Sequence, residues 1–85
     1  MPYQIIIERS ASKEIEKINR ADQILITQSI LLLAENPRPN GCKKLKGRDA
    51  WRIRIGDYRV IYEIQDDILV VTIVKVGHRQ DVYEK

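Results

Sequence analysis

From Trp51 to Val76 the chain keeps a period of two, and this alternation limits what it can fold into more than any other feature. Trp51, Ile53 and Ile55 alternate with Arg52 and Arg54, and Tyr58, Val60, Tyr62 and Ile64 alternate with Arg59, Ile61 and Glu63. Ile68 to Val76 is then almost wholly β-branched or aliphatic. Successive strand side chains point to opposite faces of a sheet, so each segment reads as a strand with a sorted face. Gly56-Asp57 and Asp66-Asp67 interrupt the pattern with turn residues, which makes the three strands an antiparallel meander.

A two-residue turn at Gly56-Asp57 dictates the register of the first hairpin. Ile55 opposes Tyr58, and stepping outward puts Arg54 opposite Arg59, Ile53 opposite Val60 and Arg52 opposite Ile61. Arg52, Arg54 and Arg59 then share one face. Trp51, Ile53, Val60 and Tyr62 occupy the other, which has to be the covered one because apolar burial sets the register. Directly opposed like charges destabilise a strand pair by a few tenths to about 1 kcal/mol. An anion held between the two guanidinium groups would offset that cost, and the planar fork of arginine suits phosphate. By the same alternation Ile61, Val70, Val74 and Val76 fall on the face with the arginines, where exposed aliphatic surface would mark a partner site.

The first half of the chain changes period. Tyr3 to Glu8 is short and isoleucine-rich and reads as a strand. Ser10 offers an N-cap, with Ala11, Ile15 and Ile18 at helical spacing behind it. A break at Asn19 to Asp22 precedes a more apolar helix from Ile24 to Ala34, which ends before Asn36-Pro37 because the residue preceding proline is pushed out of helical geometry. Residues 38–49 mix Pro, Gly and Asn with five cations and read as a loop, with room for a short strand at Lys43 to Lys46. The expected fold is α+β: β-α-α-β-β-β, an antiparallel sheet with a helical hairpin packed on one face, as one domain over residues 1–85.

Charge sharpens the functional expectation. The 85 residues carry a formal net charge of +3. From Arg38 to Arg59, however, eight cations face only Asp49 and Asp57. A basic block in an otherwise mildly acidic chain is the footprint of a polyanionic partner. Cys42 is the single cysteine, which leaves no internal disulfide and no thiol pair for zinc. No apolar run is long enough to span a bilayer, and a cytoplasmic location without membrane contact is expected. No cluster of carboxylate, His or Cys residues suggests a metal, and no cofactor is expected.

The ordered segments KKLKG (43–47), WRIRIGDYRVIYEI (51–64) and KVGHRQDVY (75–83) resemble the RelE toxins of toxin–antitoxin systems, within the RelE/ParE superfamily. The resemblance implies a metal-independent endoribonuclease that cuts mRNA in the ribosomal decoding site, inhibits translation and is silenced by a cognate antitoxin in a hetero-oligomer. It implies catalytic roles for Arg52, Arg54, Arg59, Arg79 and Tyr83, the last stacking on a base, and RNA contacts by Lys44, Lys46, Arg48 and Arg52. Family members that have been studied carry lysine where this chain has Arg54, and arginine stays protonated at any working pH. His78 is the only side chain with an ordinary pKa near neutrality and is the candidate acid–base group. The alternative is a ParE-like toxin that inhibits DNA gyrase by binding, with the same fold and no nuclease chemistry.

Overall fold

The computed structural model describes residues 2–78. Seven elements follow in order: β1 (Gln4–Ile7), α1 (Arg9–Glu16), α2 (Arg20–Leu32), β2 (Lys43–Lys44), β3 (Trp51–Ile55), β4 (Tyr58–Gln65) and β5 (Val70–His78). They build a five-stranded sheet in the order β1-β5-β4-β3-β2, with both helices on one face. The α+β class and the helical hairpin are as expected from sequence. The sheet is mixed rather than wholly antiparallel, because β1 joins β5 in parallel with Ile5 opposite Val71. That placement has a physical reason: β5 is the most continuously aliphatic strand, and its first half is covered on both edges by β1 and β4.

Local chemistry accounts for the helix ends. Glu8 donates its N–H to the carbonyl of Ile73 at 3.0 Å, so the chain is still tied to the sheet when α1 begins. Glu8, not Ser10, is the N-cap residue, and Ser10 lies in the first turn. The helix α2 starts four residues earlier than the apolar pattern suggests. Asn19 caps it, its Oδ1 accepting from the Asp22 N–H at 3.0 Å while its Nδ2 donates to the Asp22 carboxylate at 2.8 Å. Gln23 closes α1 from across the break, donating to the Ile18 carbonyl at 2.7 Å.

Ala11, Ile26 and Ile30 from the helices, with Leu33 at the C-cap of α2, pack on Ile53, Val60, Tyr62, Val71, Ile73 and Val76 from the sheet. Val76 is a correction to simple alternation. A bulge breaks the β4–β5 register between Ile61 and Tyr62: Ile61 opposes Lys75, Tyr62 opposes Ile73, and Val74 is the extra residue between them. One inserted residue flips every later side chain to the other face. Val76 is therefore opposite Val60 and fully buried beneath the helices. Beyond the end of β1 the free edge of β5 is held by α1, where Glu14 accepts from the Val76 N–H at 3.0 Å and pairs with Lys75 at 3.3 Å.

The second turn also differs from expectation. Four residues, Asp66–Leu69, connect β4 to β5, and Leu69 takes a left-handed φ of +54°. Asp66 is engaged rather than being a bare turn residue. Arg38 grips its carboxylate with two nitrogens, at 2.8 and 3.2 Å, and the Tyr3 hydroxyl donates to it at 2.6 Å. The same guanidinium lies over the Trp51 ring, 5.1 Å from its centroid. The Tyr62 hydroxyl donates to the Pro37 carbonyl at 2.8 Å, and together these contacts fix the segment leaving α2 to the far end of the sheet.

Candidate nucleic-acid interface

The face opposite the helices is built in rows that run across the strands. At the turn end, Arg54 of β3 stands directly opposite Arg59 of β4, which in turn stands opposite Gly77 of β5. One step inward, Lys43, Arg52, Ile61 and Lys75 line up across β2 to β5. The register expected from the Gly56-Asp57 turn is thus the register observed. Gly56 takes φ +59°, the left-handed value that favours glycine at the first central position of a two-residue hairpin turn. Arg54 is exposed, whereas Arg52 and Arg59 are half-buried with their Nε atoms shut off from solvent. Their guanidinium groups therefore lie low on the sheet rather than waving from it.

The basic loop is pinned to this same face. Leu45 donates its N–H to the Ala50 carbonyl at 2.9 Å, closing a tight loop that exposes Lys46, Arg48 and Asp49 at its tip. Leu45 and Ala50 turn inward and bury Ile61, with Val74 packed beside them. Ile61 is 2% exposed, so at Ile61 and Val74 the aliphatic partner surface expected on this face is covered by the chain's own loop, while Val70, outside this cluster, is half-buried. Lys44 is exposed and pairs with Asp49 at 3.4 Å. Sequence reasoning missed Leu45 and Ala50 as the seat of the loop; the two apolar residues that bracket KGRD in KKLKGRDA are the signal that could have found them.

Two other cations and His78 occupy different surroundings. Arg38, counted in the basic block, is turned to Asp66 and Trp51 and does not join the arginine rows. Lys75 stands in the Arg52 row but reaches round the edge of β5 to Glu14. His78 pairs with Tyr58, their rings edge to face at 5.8 Å and 77°. Tyr58 packs against the core under the helices, so His78 is on the helix side of the sheet while Arg52, Arg54 and Arg59 are on the other. There it lines a cavity of about 260 Å³ with Glu14, Lys17, Ile18 and Tyr58. Arg79 and Tyr83 lie outside the described residues.

The perturbed acid–base groups belong to the clamp at the far end, not to the arginine face. The Arg38 guanidinium, and after it the Tyr3 hydroxyl, hold the Asp66 carboxyl down at about 2. The same carboxylate pushes the Tyr3 phenol and the Arg38 guanidinium up. Burial pushes the Tyr62 phenol up strongly. On the arginine face the chemistry available is fixed positive charge, which can bind a phosphate and stabilise charge that develops on it. Among the described residues no group of three His, Cys, Asp or Glu side chains is placed to hold a metal ion.

Comparison with known proteins covers nearly the whole chain. Residues 5–83 match the family model described as the ParE toxin of type II toxin–antitoxin systems. The chain is 29% identical to a RelE-like toxin protein of Escherichia coli, over 98% of this chain and 92% of that one. It is 28% identical to the mRNA interferase toxin RelE of Escherichia coli strain K12, over 100% of this chain and 94% of that one. Among solved structures, the archaeal RelE–RelB complex from Pyrococcus horikoshii superposes with a TM-score of 0.84 at 29% identity, covering 93% of this chain and 97% of that chain.

Proposed function

The chain belongs to the ParE toxin family of type II toxin–antitoxin systems, and on that premise we propose that it is an RNA-cleaving member that cuts mRNA on the ribosome. The observation that carries this reading is the pair Arg54–Arg59, directly opposed on the open face with Arg52 and Lys43 one row behind. The name of the RelE relative, an mRNA interferase, supports the same chemistry.

In this reading Arg54 and Arg59 hold the scissile phosphate. The 2′-hydroxyl of the preceding ribose attacks that phosphorus, the bond to the 5′-oxygen of the next nucleotide breaks, and a 2′,3′-cyclic phosphate and a 5′-hydroxyl end result. The proton lost from the 2′-oxygen goes to solvent or a ribosomal group, and solvent or a ribosomal group in turn gives a proton to the leaving 5′-oxygen. Neither transfer is assigned to Arg54, whose guanidinium keeps its proton. The arginines supply the positive charge that a metal ion brings in other phosphoryl-transfer sites, so the reaction is metal-independent. Arg52, Lys44, Lys46 and Arg48 follow the RNA backbone, Arg79 serves the leaving oxygen and Tyr83 stacks on a base. His78, on the helix side, contributes by supporting Tyr58 and the end of β5.

A cognate antitoxin is the partner that family membership brings, and the RelE neighbour from Pyrococcus horikoshii was solved with RelB. We place its apolar contacts on the outer side of α2, where Ile24, Leu25, Leu31 and Leu32 are 49–67% exposed. No helix among the described residues is long and apolar enough to cross a membrane. Cleavage of mRNA on programmed ribosomes, run beside DNA gyrase supercoiling, tests the function. Truncated mRNA with gyrase unaffected is the expected result; gyrase inhibition with intact mRNA would instead establish the ParE-like binding toxin that the family model's name keeps in view.

A further inference from the structure

Gly77 stands out because the backbone does not ask for glycine there. Gly41, Gly47 and Gly56 take left-handed φ values, but Gly77 does not; it is an ordinary paired residue inside β5. Glycine at such a place weakens a strand, since it packs nothing and gives up more conformational freedom on folding than any other residue. Its neighbours on the same strand, Val76 and His78, both carry large side chains that are at least partly buried.

The position of the gap is specific. Gly77 is directly opposite Arg59, and Arg59 is directly opposite Arg54, so the three form one row on the open face. The next row inward is filled by Lys75, Ile61, Arg52 and Lys43. The strands are about 5 Å apart. Among the described residues, the row with the paired arginines therefore ends, one strand away, in the bare backbone of Gly77, with Lys75 in the next row along β5; the edge of that backbone also borders the cavity on the helix side. A Cβ at residue 77 would point to the same side as the two guanidinium groups.

We propose that Gly77 is a positioning residue for RNA cleavage: its bare backbone is the floor on which the ribose bearing the attacking 2′-hydroxyl rests, so that the adjoining phosphate reaches Arg54 and Arg59. This rests on the RNA-cleaving reading above. The substrate class is single-stranded RNA crossing the strands, with the sugar over β5 and its 3′-phosphate over β4 and β3. A side chain at residue 77 lifts the sugar and draws the phosphate out of the arginine pair without altering any charge.

The test compares the parent with Gly77→Ala and Gly77→Val in single-turnover mRNA cleavage on programmed ribosomes, with thermal melts and a salt titration of ribosome binding alongside. The expected result is that both variants melt at or above the parent temperature and bind ribosomes with the parent's affinity and salt dependence. The saturating cleavage rate falls about tenfold for alanine and at least a hundredfold for valine, as a small misplacement of reacting atoms produces. Parental cleavage by Gly77→Val with an intact fold would overturn the inference while leaving the nuclease reading standing. Lower melting of Gly77→Ala would overturn it too, by showing that the glycine serves the packing of the chain on itself. A parent protein that leaves ribosome-bound mRNA uncut would overturn the nuclease reading and this inference with it.

Discussion

Arg54 and Arg59 show how far a single pair of residues could be read from the sequence. Their opposition followed from a two-residue turn and a period of two, both local properties, and the observed pairing agrees residue for residue. The contact between Arg38 and Asp66 was not legible, because the partners are 28 positions apart and neither segment has a period that brings them together. Arg54→Ala removes an exposed member of a like-charged pair, so stability should hold or rise by a few tenths to about 1 kcal/mol. Cleavage on programmed ribosomes should fall roughly 100-fold, as for loss of one fixed group that stabilises developing negative charge. Melts and single-turnover rates on the same preparation check both. Asp66 should behave in the opposite way. Its folded pKa of about 2 is below the ordinary 3.8, so it contributes stability that is present above about pH 4 and lost as pH falls toward 2. Asp66→Asn should melt lower at neutral pH and show a flatter decline between pH 4 and 2 than the parent does.

At the scale of elements, alternation succeeded wherever both strands stayed in register and failed at the bulge. Val74 looks like any other aliphatic residue in ILVVTIVKV, and nothing local marks it as the extra one. The bulge sends Val76 to the core and leaves Val74 beside Ile61, Leu45 and Ala50. This small second cluster gives the basic loop a fixed seat, so Lys44, Lys46 and Arg48 are carried by a closed loop rather than a loose tail. Leu45→Ala tests that role. Removing most of a buried leucine side chain costs about 2 kcal/mol or more. The larger consequence should be functional: with the charges unchanged but the loop released, ribosome affinity should drop while Arg54 and Arg59 retain their pairing. Unchanged affinity with lowered melting temperature would show that Leu45 supports stability alone. The helix boundaries were less legible than the strands because Asn19 and Asp22, which look like a break, form the cap of α2.

For the whole molecule, the sheet separates two surfaces of different character. Helices and core occupy one side, with exposed aliphatics on the outside of α2; the arginine rows and the basic loop occupy the other. The parallel pairing of β1 with β5 escaped sequence reading because it joins the two ends of the chain, but it does not disturb the arginine face, which lies on β3 and β4. Counting charges along the sequence put Arg38 and Arg54 in one basic block; the fold assigns them different work. Arg38 lies against Trp51 and Asp66, while Arg54 is exposed beside Arg59. Binding of a single-stranded RNA oligonucleotide separates the two. Each phosphate neutralised on a single strand adds roughly −0.7 to the slope of log affinity against log salt, so engaging three or four phosphates gives a slope of about −2 to −3. Arg54→Ala should weaken binding and make that slope shallower by about 0.7, because one phosphate fewer is neutralised. Arg38→Ala should lower the melting temperature, because it leaves Asp66 without its cation, and leave the salt slope where it was. Equal changes of slope in the two variants would mean that the polyanion is bound by the net charge of the molecule and not by the row of arginines.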